Sequence, residues 1–554
     1  MTTFTQRLSN LSPKKRISTL EKLPSHLAAT AQPQKLYKLL TNFEFIAAKI
    51  TTLGVQALIE DYKLATNSLV QLSPEQTKNL QLISGALQLS AQIIAEDNTQ
   101  LLAQLWGRLL SFDIPDIQTM LATAKPEPGK PWLRPMTANL TPPIGSLGHT
   151  LIGHNGSVNA VAISPDRQFA VSGSGDKTLK VWDLAQGKEL HTLIGHNDSV
   201  NAVAISPDRQ FAVSGSGDNT LKVWDLAQGQ ELYTLIGHND SVNAVAISPD
   251  RQFAVSGSKD KTLKVWDLAQ GKELYTLIGH DDSVNAVTIS PDSKFAVSHS
   301  WDDIPIVWDL AKGQQLQTLQ GYDGSVNAVA ICPDRQFAVS GSWDNSLKVW
   351  ELAYGKELHS LEGHNGSVNA VAISPDRQFA VSGSEDNTVK VWDLLTGEAV
   401  ATFRGESEFN CCAVAVADEV VIVAGDKSGV VHLLQLEINP SLPPFIPLPQ
   451  GAENPVILLF TSLFLLDYGR EDEAFSCWEQ AAQIRPDAAA VIRKKGSQLL
   501  YQRGNMFLKE KHYKFALKCF TRLVKLQSKK TSLLAYIRNI ILSVWRPNKR
   551  DFSV

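Results

Sequence analysis

Histidine preceded by glycine returns every 42 residues along the middle of this 554-residue chain, at His154, His196, His238 and His280, then at His364. A tryptophan-aspartate pair follows each time: Trp182-Asp183, Trp224-Asp225, Trp266-Asp267, Trp308-Asp309 and Trp392-Asp393. The fifth unit departs at both landmarks, with Gly321-Tyr322 and Trp350-Glu351. Histidine recurring with aspartate is the raw material of general-base catalysis or of a metal site. Recurrence argues against both. An enzyme needs one site, whereas the same set returns in every good unit, so these residues are expected to hold the units together.

The elements between the landmarks are short and of strand type. In the first unit, VNAVAI (Val158–Ile163) and FAVS (Phe169–Ser172) flank the turn Ser164-Pro165-Asp166-Arg167. LKVW (Leu179–Trp182) follows a turn at Gly175-Asp176-Lys177, and ELHTL (Glu189–Leu193) supplies a fourth strand. Four short strands per unit, at a period near 40, predict the blades of a β-propeller.

On these residues the chain resembles WD40-repeat propellers over 147–437. The resemblance implies a mainly β fold, a seven-bladed WD40 β-propeller, here flanked by N-terminal and C-terminal α-helical regions. Six units are clear. A seventh is degenerate, because the 42-residue step lands on Gly405-Glu406 and Leu434 in place of Gly-His and Trp. LGHTL (Leu147–Leu151) mimics a fourth strand ahead of the first Gly-His and is expected to complete the last blade, leaving no open edge. The resemblance further implies a buried hydrogen-bonded tetrad in each good blade. These are His154, Ser172, Asp176 and Trp182; His196, Ser214, Asp218 and Trp224; His238, Ser256, Asp260 and Trp266; and His364, Ser382, Asp386 and Trp392. Blades four, five and seven are expected to be the weaker ones, through Ile304-Pro305, through Tyr322 and through loss of both His and Trp.

SVNAVAISPDRQFAVSGS is unchanged in units one, two, three and six, so function is sought where units differ. The residue before the turn aspartate reads Gly175, Gly217, Lys259, Trp301, Trp343, Glu385 and Lys427. In the family this place lies on the rim of the partner-binding face. Trp301 and Trp343, flanked by Lys259 and Glu385, are the expected partner-binding residues, since tryptophan is the commonest binding hot spot.

Residues 1–125 read as helical. Leu36–Leu64 carries apolar residues at three- and four-residue spacing, and Ser73-Pro74-Glu75-Gln76 is a helix start with a capping pair. LPSHLAATAQPQKLYKLLTNFEFIAAKI, LWGRLLSF and PWLRP resemble the helical segment between ATPase module and propeller in bacterial STAND proteins. Residues 126–146 (PEPGKPWLRPMTANLTPPIGS) and 438–454 are proline-rich and predicted to be linkers without regular structure. Residues 455–546 resemble tetratricopeptide repeats, with Ala474, Trp478, Ala481 and Pro486 and then Gly504, Phe507, Ala516 and Phe520 in motif positions.

Charge is segregated. Leu147–Glu437 holds 20 Lys and Arg against 37 Asp and Glu, while Arg485–Arg550 holds 17 against two. The basic segment is read first as a solvated surface, then as a contact for an acidic partner, and last as a nucleic-acid or anionic-membrane tether. Five cysteines without CxxC spacing and a start without an apolar core fit a cytoplasmic protein. No G-x-x-x-x-G-K-[ST] occurs, so any ATPase motor would come from a partner chain. No unique Ser/His/Asp or metal cluster breaks the repeat symmetry. The expectation is a non-catalytic scaffold for other proteins, with no cofactor, no metal and no small-molecule substrate.

Overall fold

The computed structural model describes residues 4–66, 70–124, 131–143, 151–302, 304–318, 325–333, 337–352, 356–394, 397–416 and 419–437, with positions 480 and 483. Met1–Pro375, Phe379–Trp392 and Ala399–Ser441 form one compact unit. A second comprises Asp376–Gln378, Asp393–Glu398 and Leu442–Val554. Of its C-terminal part only Gln480 and Gln483, both helical and exposed, are described. The tetratricopeptide-like segments and the basic segment lie outside the described residues.

Helices occupy Phe4 to Thr123 and enclose one apolar core, with Leu36, Phe45, Ile46, Leu58, Tyr62, Ile83, Leu105 and Leu109 at its centre. Ser73 opens the helix Pro74–Leu89 as the sequence predicts. Its Oγ accepts from the Gln76 N–H at 3.1 Å, and the Gln76 carboxamide accepts from the Ser73 N–H at 3.3 Å. The helical path from Pro74 to Leu109 is not continuous. It breaks at Ser90 and again at Asp97, whose side chain caps the short turn Asn98–Gln100.

Seven antiparallel sheets follow. Blade one is Val158–Ile163, Phe169–Ser174, Thr178–Asp183 and Lys188–Ile194, paired in sequence order, and blades two to six repeat that order. Blade seven is Phe409–Val416, Val420–Asp426 and Val430–Glu437, completed by strands from upstream of blade one. Leu151–Ile152 pairs with Val431 and Val430, at the end of the segment expected to do so. The sequence reading of 126–146 as an unstructured linker needs correction. Trp132–Pro135 is a strand, in register with Glu437 to Leu434 along the same edge. Its prolines do not forbid this, because an outermost strand needs ladder donors on one side only.

Each tetrad is a one-way relay of donors. Trp182 Nε1 donates to Ser172 Oγ at 2.8 Å, the hydroxyl faces His154 Nε2 at 2.8 Å, and His154 Nδ1 faces Asp176 Oδ2 at 2.9 Å. Blades two, three and six reproduce these contacts at 2.7–2.9 Å. The serine oxygens lie among fully buried side chains. No substrate can reach them, and the set serves cohesion. Burial of this kind makes linked hydrogen bonds stronger together than singly.

Blade four holds a complete set too, His280, Ser298, Asp302 and Trp308, which its 42-residue spacing already contained. Pro305 acts locally: the third strand starts only at Ile306 and is 4 residues long, against 6 in blade one. In blade five Trp350 still donates to Ser340, and Tyr322 lies outside the described residues. Blade seven replaces its tetrad with a buried pair, His432 Nε2 to Asp426 Oδ2 at 2.9 Å, under the rings of Phe403 and Phe409.

Asparagines lock blade to blade. Asn159 Nδ2 donates to Ser199 Oγ and to the Val200 carbonyl of the next blade, and Asn201, Asn243, Asn327 and Asn369 likewise reach the following first strand. Asn410 of blade seven donates to Ser157 Oγ at 2.7 Å and so closes the ring onto blade one.

The pH dependence of stability follows from the tetrads. Burial pushes His154 and His196 below the ordinary 6.5, against the pull of their aspartates. Burial opposes the charge on Asp176 and Asp218, but hydrogen bonds from Thr178 and Thr220, from the Asn155 and Asn197 N–H groups and from the histidines hold both carboxyls at about 2 against 3.8. Below pH 6.5 the unfolded histidines take up protons that the folded ones refuse. Between roughly pH 4 and 2 the unfolded aspartates do the same. Both effects lower stability as pH falls. Urea unfolding of the whole chain should show a plateau above about pH 6.5 and progressive loss below it. A midpoint constant from pH 7 to 3 would contradict this account.

Candidate functional site

The rim positions are equivalent in all seven blades. At each, the backbone N–H before the turn donates to a carbonyl in the loop leading into the first strand. The seven pairs are Gly175 to Ser157, Gly217 to Ser199, Lys259 to Ser241, Trp301 to Ser283, Trp343 to Ser325, Glu385 to Ser367 and Lys427 to Glu408, at 2.8–3.1 Å. The last pair fixes the register of the degenerate blade. The backbone here is therefore constant, and only the side chains differ.

Trp301 and Trp343 come together on adjacent blades. Their ring centroids are 6.1 Å apart and their planes are tilted by 57°. They remain 44% and 54% exposed, while the tetrad tryptophans are buried. Lys259 and Glu385 are exposed on either side of them along the ring. Lys427 is tied to Glu408 by an ion pair of 2.9 Å. The loops entering the first strands of blades two, three and four add acid, at Asp198, Asp240, Asp281 and Asp282. In blade two the Asp198 carboxyl carbon lies 3.2 Å from where a Cβ on Gly217 would stand. The 42-residue step puts Asp282 at the same loop position beside Trp301, and its carboxylate accepts from the Ser283 N–H. Blades four and five thus present two adjacent, partly exposed indoles.

A second polar cluster, absent from the sequence reading, joins the helices to blades six and seven. The Gln100 carboxamide donates to the Thr402 carbonyl at 3.0 Å and accepts from the Arg404 N–H at 3.2 Å. A side-chain amide here takes the place of a neighbouring strand. Gln104 adds a bond to the Arg404 carbonyl at 2.8 Å. Arg108, 1% exposed, donates to Ser90 Oγ, to the Thr141 carbonyl and to Glu406 Oε1 at 2.7–2.8 Å. Burial works against the charge on Glu406, but Thr141 and Arg108 hold its carboxyl below the ordinary value. Arg404 pairs with Glu96. Residues 139–140 sit directly on helix Leu101–Leu109, where both N–H groups donate to the Gly107 carbonyl at 3.1 Å. A Cβ on Gly107 would stand 2.8 Å from the Asn139 and Leu140 side chains, so any larger residue would have to displace them.

The signal for this cluster lay in one substitution. Glu406 occupies the place where six units lead to histidine or tyrosine. Loss of the histidine marks a degenerate blade, but nothing in the sequence pairs its replacement with an arginine 298 residues earlier. A cleft of about 400 Å³ opens beside the cluster, between Phe43, Ala47 and Ile50 on one side and Ala399–Thr402 on the other.

Truncating the arginine should test the docking. Arg108→Met leaves Glu406 without its buried partner, a change that typically costs about 3–5 kcal/mol for a fully buried pair and less here, because Glu406 is partly exposed. Amide exchange in Leu101–Leu109 and at Arg404 should then rise while blades one to three keep their protection. Unchanged exchange at both places would show that the cluster does not hold the helices to the blades.

Comparison with known proteins agrees with this geometry. Residues 145–183, 187–225, 229–267, 271–309, 313–351 and 355–393 match the WD domain, G-beta repeat family. Residues 5–106 match the APAF-1 helical domain. Among curated proteins, the chain is 60% identical over 45 residues to small ribosomal subunit protein RACK1 of Caenorhabditis elegans, or 8% of this chain and 14% of that one. It is 54% identical over 44 residues to RACK1 of Glycine max, again 8% and 14% of the two chains. It is 46% identical over 46 residues to human pleiotropic regulator 1, 8% of this chain and 9% of that one. Each match spans about one blade and a small share of the relative's length. Among the described residues no helix is long and apolar enough to cross a membrane. The chain carries six WD40 repeats within a seven-bladed β-propeller, and the helices before it match the APAF-1 helical domain.

Proposed function

We propose that this protein is a non-catalytic interaction scaffold of the cytoplasm that captures other proteins on the propeller rim. The observation that carries the reading is the pair of exposed indoles, Trp301 and Trp343, on adjacent blades. Lys259 and Glu385 flank them and would set register and orientation, as rim charges do. The basic tetratricopeptide-like segment 455–546 supplies a second contact, to an acidic protein surface in preference to nucleic acid or membrane. Replacing both tryptophans by alanine should cost about 2 kcal/mol or more of binding and abolish partner capture in a pull-down. The melting temperature should change little, since neither side chain belongs to a tetrad. Capture at the wild-type level would refute the rim as the binding site.

The APAF-1 helical domain favours a second reading. In it the chain is the sensor half of a STAND-type signalling ATPase, the P-loop being supplied by another chain. The helices grip blades six and seven through Gln100, Gln104 and Arg108, so a partner on the rim and a motor bound to the helices would act on one body. Candidate ATPase chains should then change their turnover when this protein is added, and change it again when the rim is occupied. Turnover indifferent to the protein across those chains would leave the scaffold reading alone.

A further inference from the structure

We infer that the group gripped between Trp301 and Trp343 is a cation, an arginine or lysine side chain on an exposed segment of a partner protein. The inference rests on the rim reading and adds the chemistry of the partner. Two indoles with centroids 6.1 Å apart and planes at 57° pack on one another at an angle, a wedge whose rings each stay partly exposed. Indole faces carry negative electrostatic potential, and a cation within about 6 Å of a ring centroid is attracted to it. A planar guanidinium stacked on the exposed part of either ring lies within that distance.

The surroundings select for charge. Asp281 and Asp282 are exposed in the loop entering blade four, and Asp344, directly after Trp343, is exposed in blade five. Glu385 follows on the next blade. Asp302, directly after Trp301, is occupied by His280 and belongs to the tetrad. The opposing charges are Lys259 and Lys261, both on the blade three side, which direct an incoming cation towards the Trp343 side; Lys261 donates to the Asp281 carbonyl at 2.8 Å. An apolar group in the wedge would strip water from these carboxylates without compensation, and an anion would be repelled. Over Leu147–Glu437 the excess of 37 acids over 20 bases adds a long-range field that steers cations inward.

The test uses the full-length protein and two fluorescein-labelled peptides at physiological salt, read by anisotropy. One alternates glycine and arginine. The other carries citrulline at every arginine position, equal in shape and neutral. The arginine peptide should bind roughly 10-fold tighter or more. Trp301→Ala with Trp343→Ala leaves the net charge unchanged, yet should remove that preference. Asp281→Asn with Asp282→Asn should weaken the arginine peptide several-fold and leave the citrulline peptide unaffected. Trp301→Phe with Trp343→Phe should keep part of the preference, which guards against a folding defect in the alanine variant. Undiminished binding of the arginine peptide to the alanine variant would mean that charge alone attracts it, and would overturn the inference. If both peptides bind alike while the alanine variant still fails to capture partners, the cation falls and the rim reading stands.

Discussion

Closure of the ring is the constraint on which everything else depends. Each blade buries its faces against two neighbours, so an open row would leave apolar surface at both ends. Closure is achieved twice. Asn410 reaches from blade seven to Ser157 and Val158 of blade one, in the same bond that other asparagines make between successive blades. Then Trp132–Pro135 and Leu151–Ile152 fill the outer edge of blade seven. The constant rim backbone follows from that closure. With that turn backbone constant, a tryptophan on blade four and one on blade five come together.

The blade motif divides its labour along the chain. His, Ser, Asp and Trp hold a blade together from within, and the asparagine of the first strand holds it to the next. The blade four–five junction is the exception: Asn285 Nδ2 has no partner among the described residues. His299 stands there where other blades carry glycine, and burial pushes its pKa down to about 3. In blades one, two, three, five and seven that glycine meets the valine of the next first strand, with a Cβ at Gly173 placed 2.6 Å from Val200 Cγ1; in blade six it meets Phe409. A histidine in that gap needs room. The exposed tryptophan pair thus sits over the junction whose packing departs most from the repeat.

Periodicity made the fold legible. A 42-residue spacing with fixed landmarks specified blades, strands and tetrads, because each depends on residues within one unit. It also carried the rim to Lys427 in a blade lacking both landmarks. What stayed hidden depends on residues far apart in sequence. Trp132–Pro135 read as linker because prolines dominate its neighbourhood, and only a partner strand near residue 435 makes it β. Glu406 read as a defect because its role needs Arg108. Local rules see backbone chemistry well and see long-range partners hardly at all.

The seam strand has a consequence for how the chain acquires its structure. Trp132 Nε1 bonds Glu437 across 305 residues of sequence. Blades one to six form from contacts within some forty residues, but the last sheet must wait until synthesis has passed residue 437. Until then Trp132 and Leu133 have no strand to pair with, and the nascent protein carries a ready-made edge. Contacts of such separation fold late and slowly, since the loop must close before they are rewarded. A growing chain of this design is therefore most vulnerable to association with its neighbours during one interval, between release of the sixth blade and arrival of the seventh.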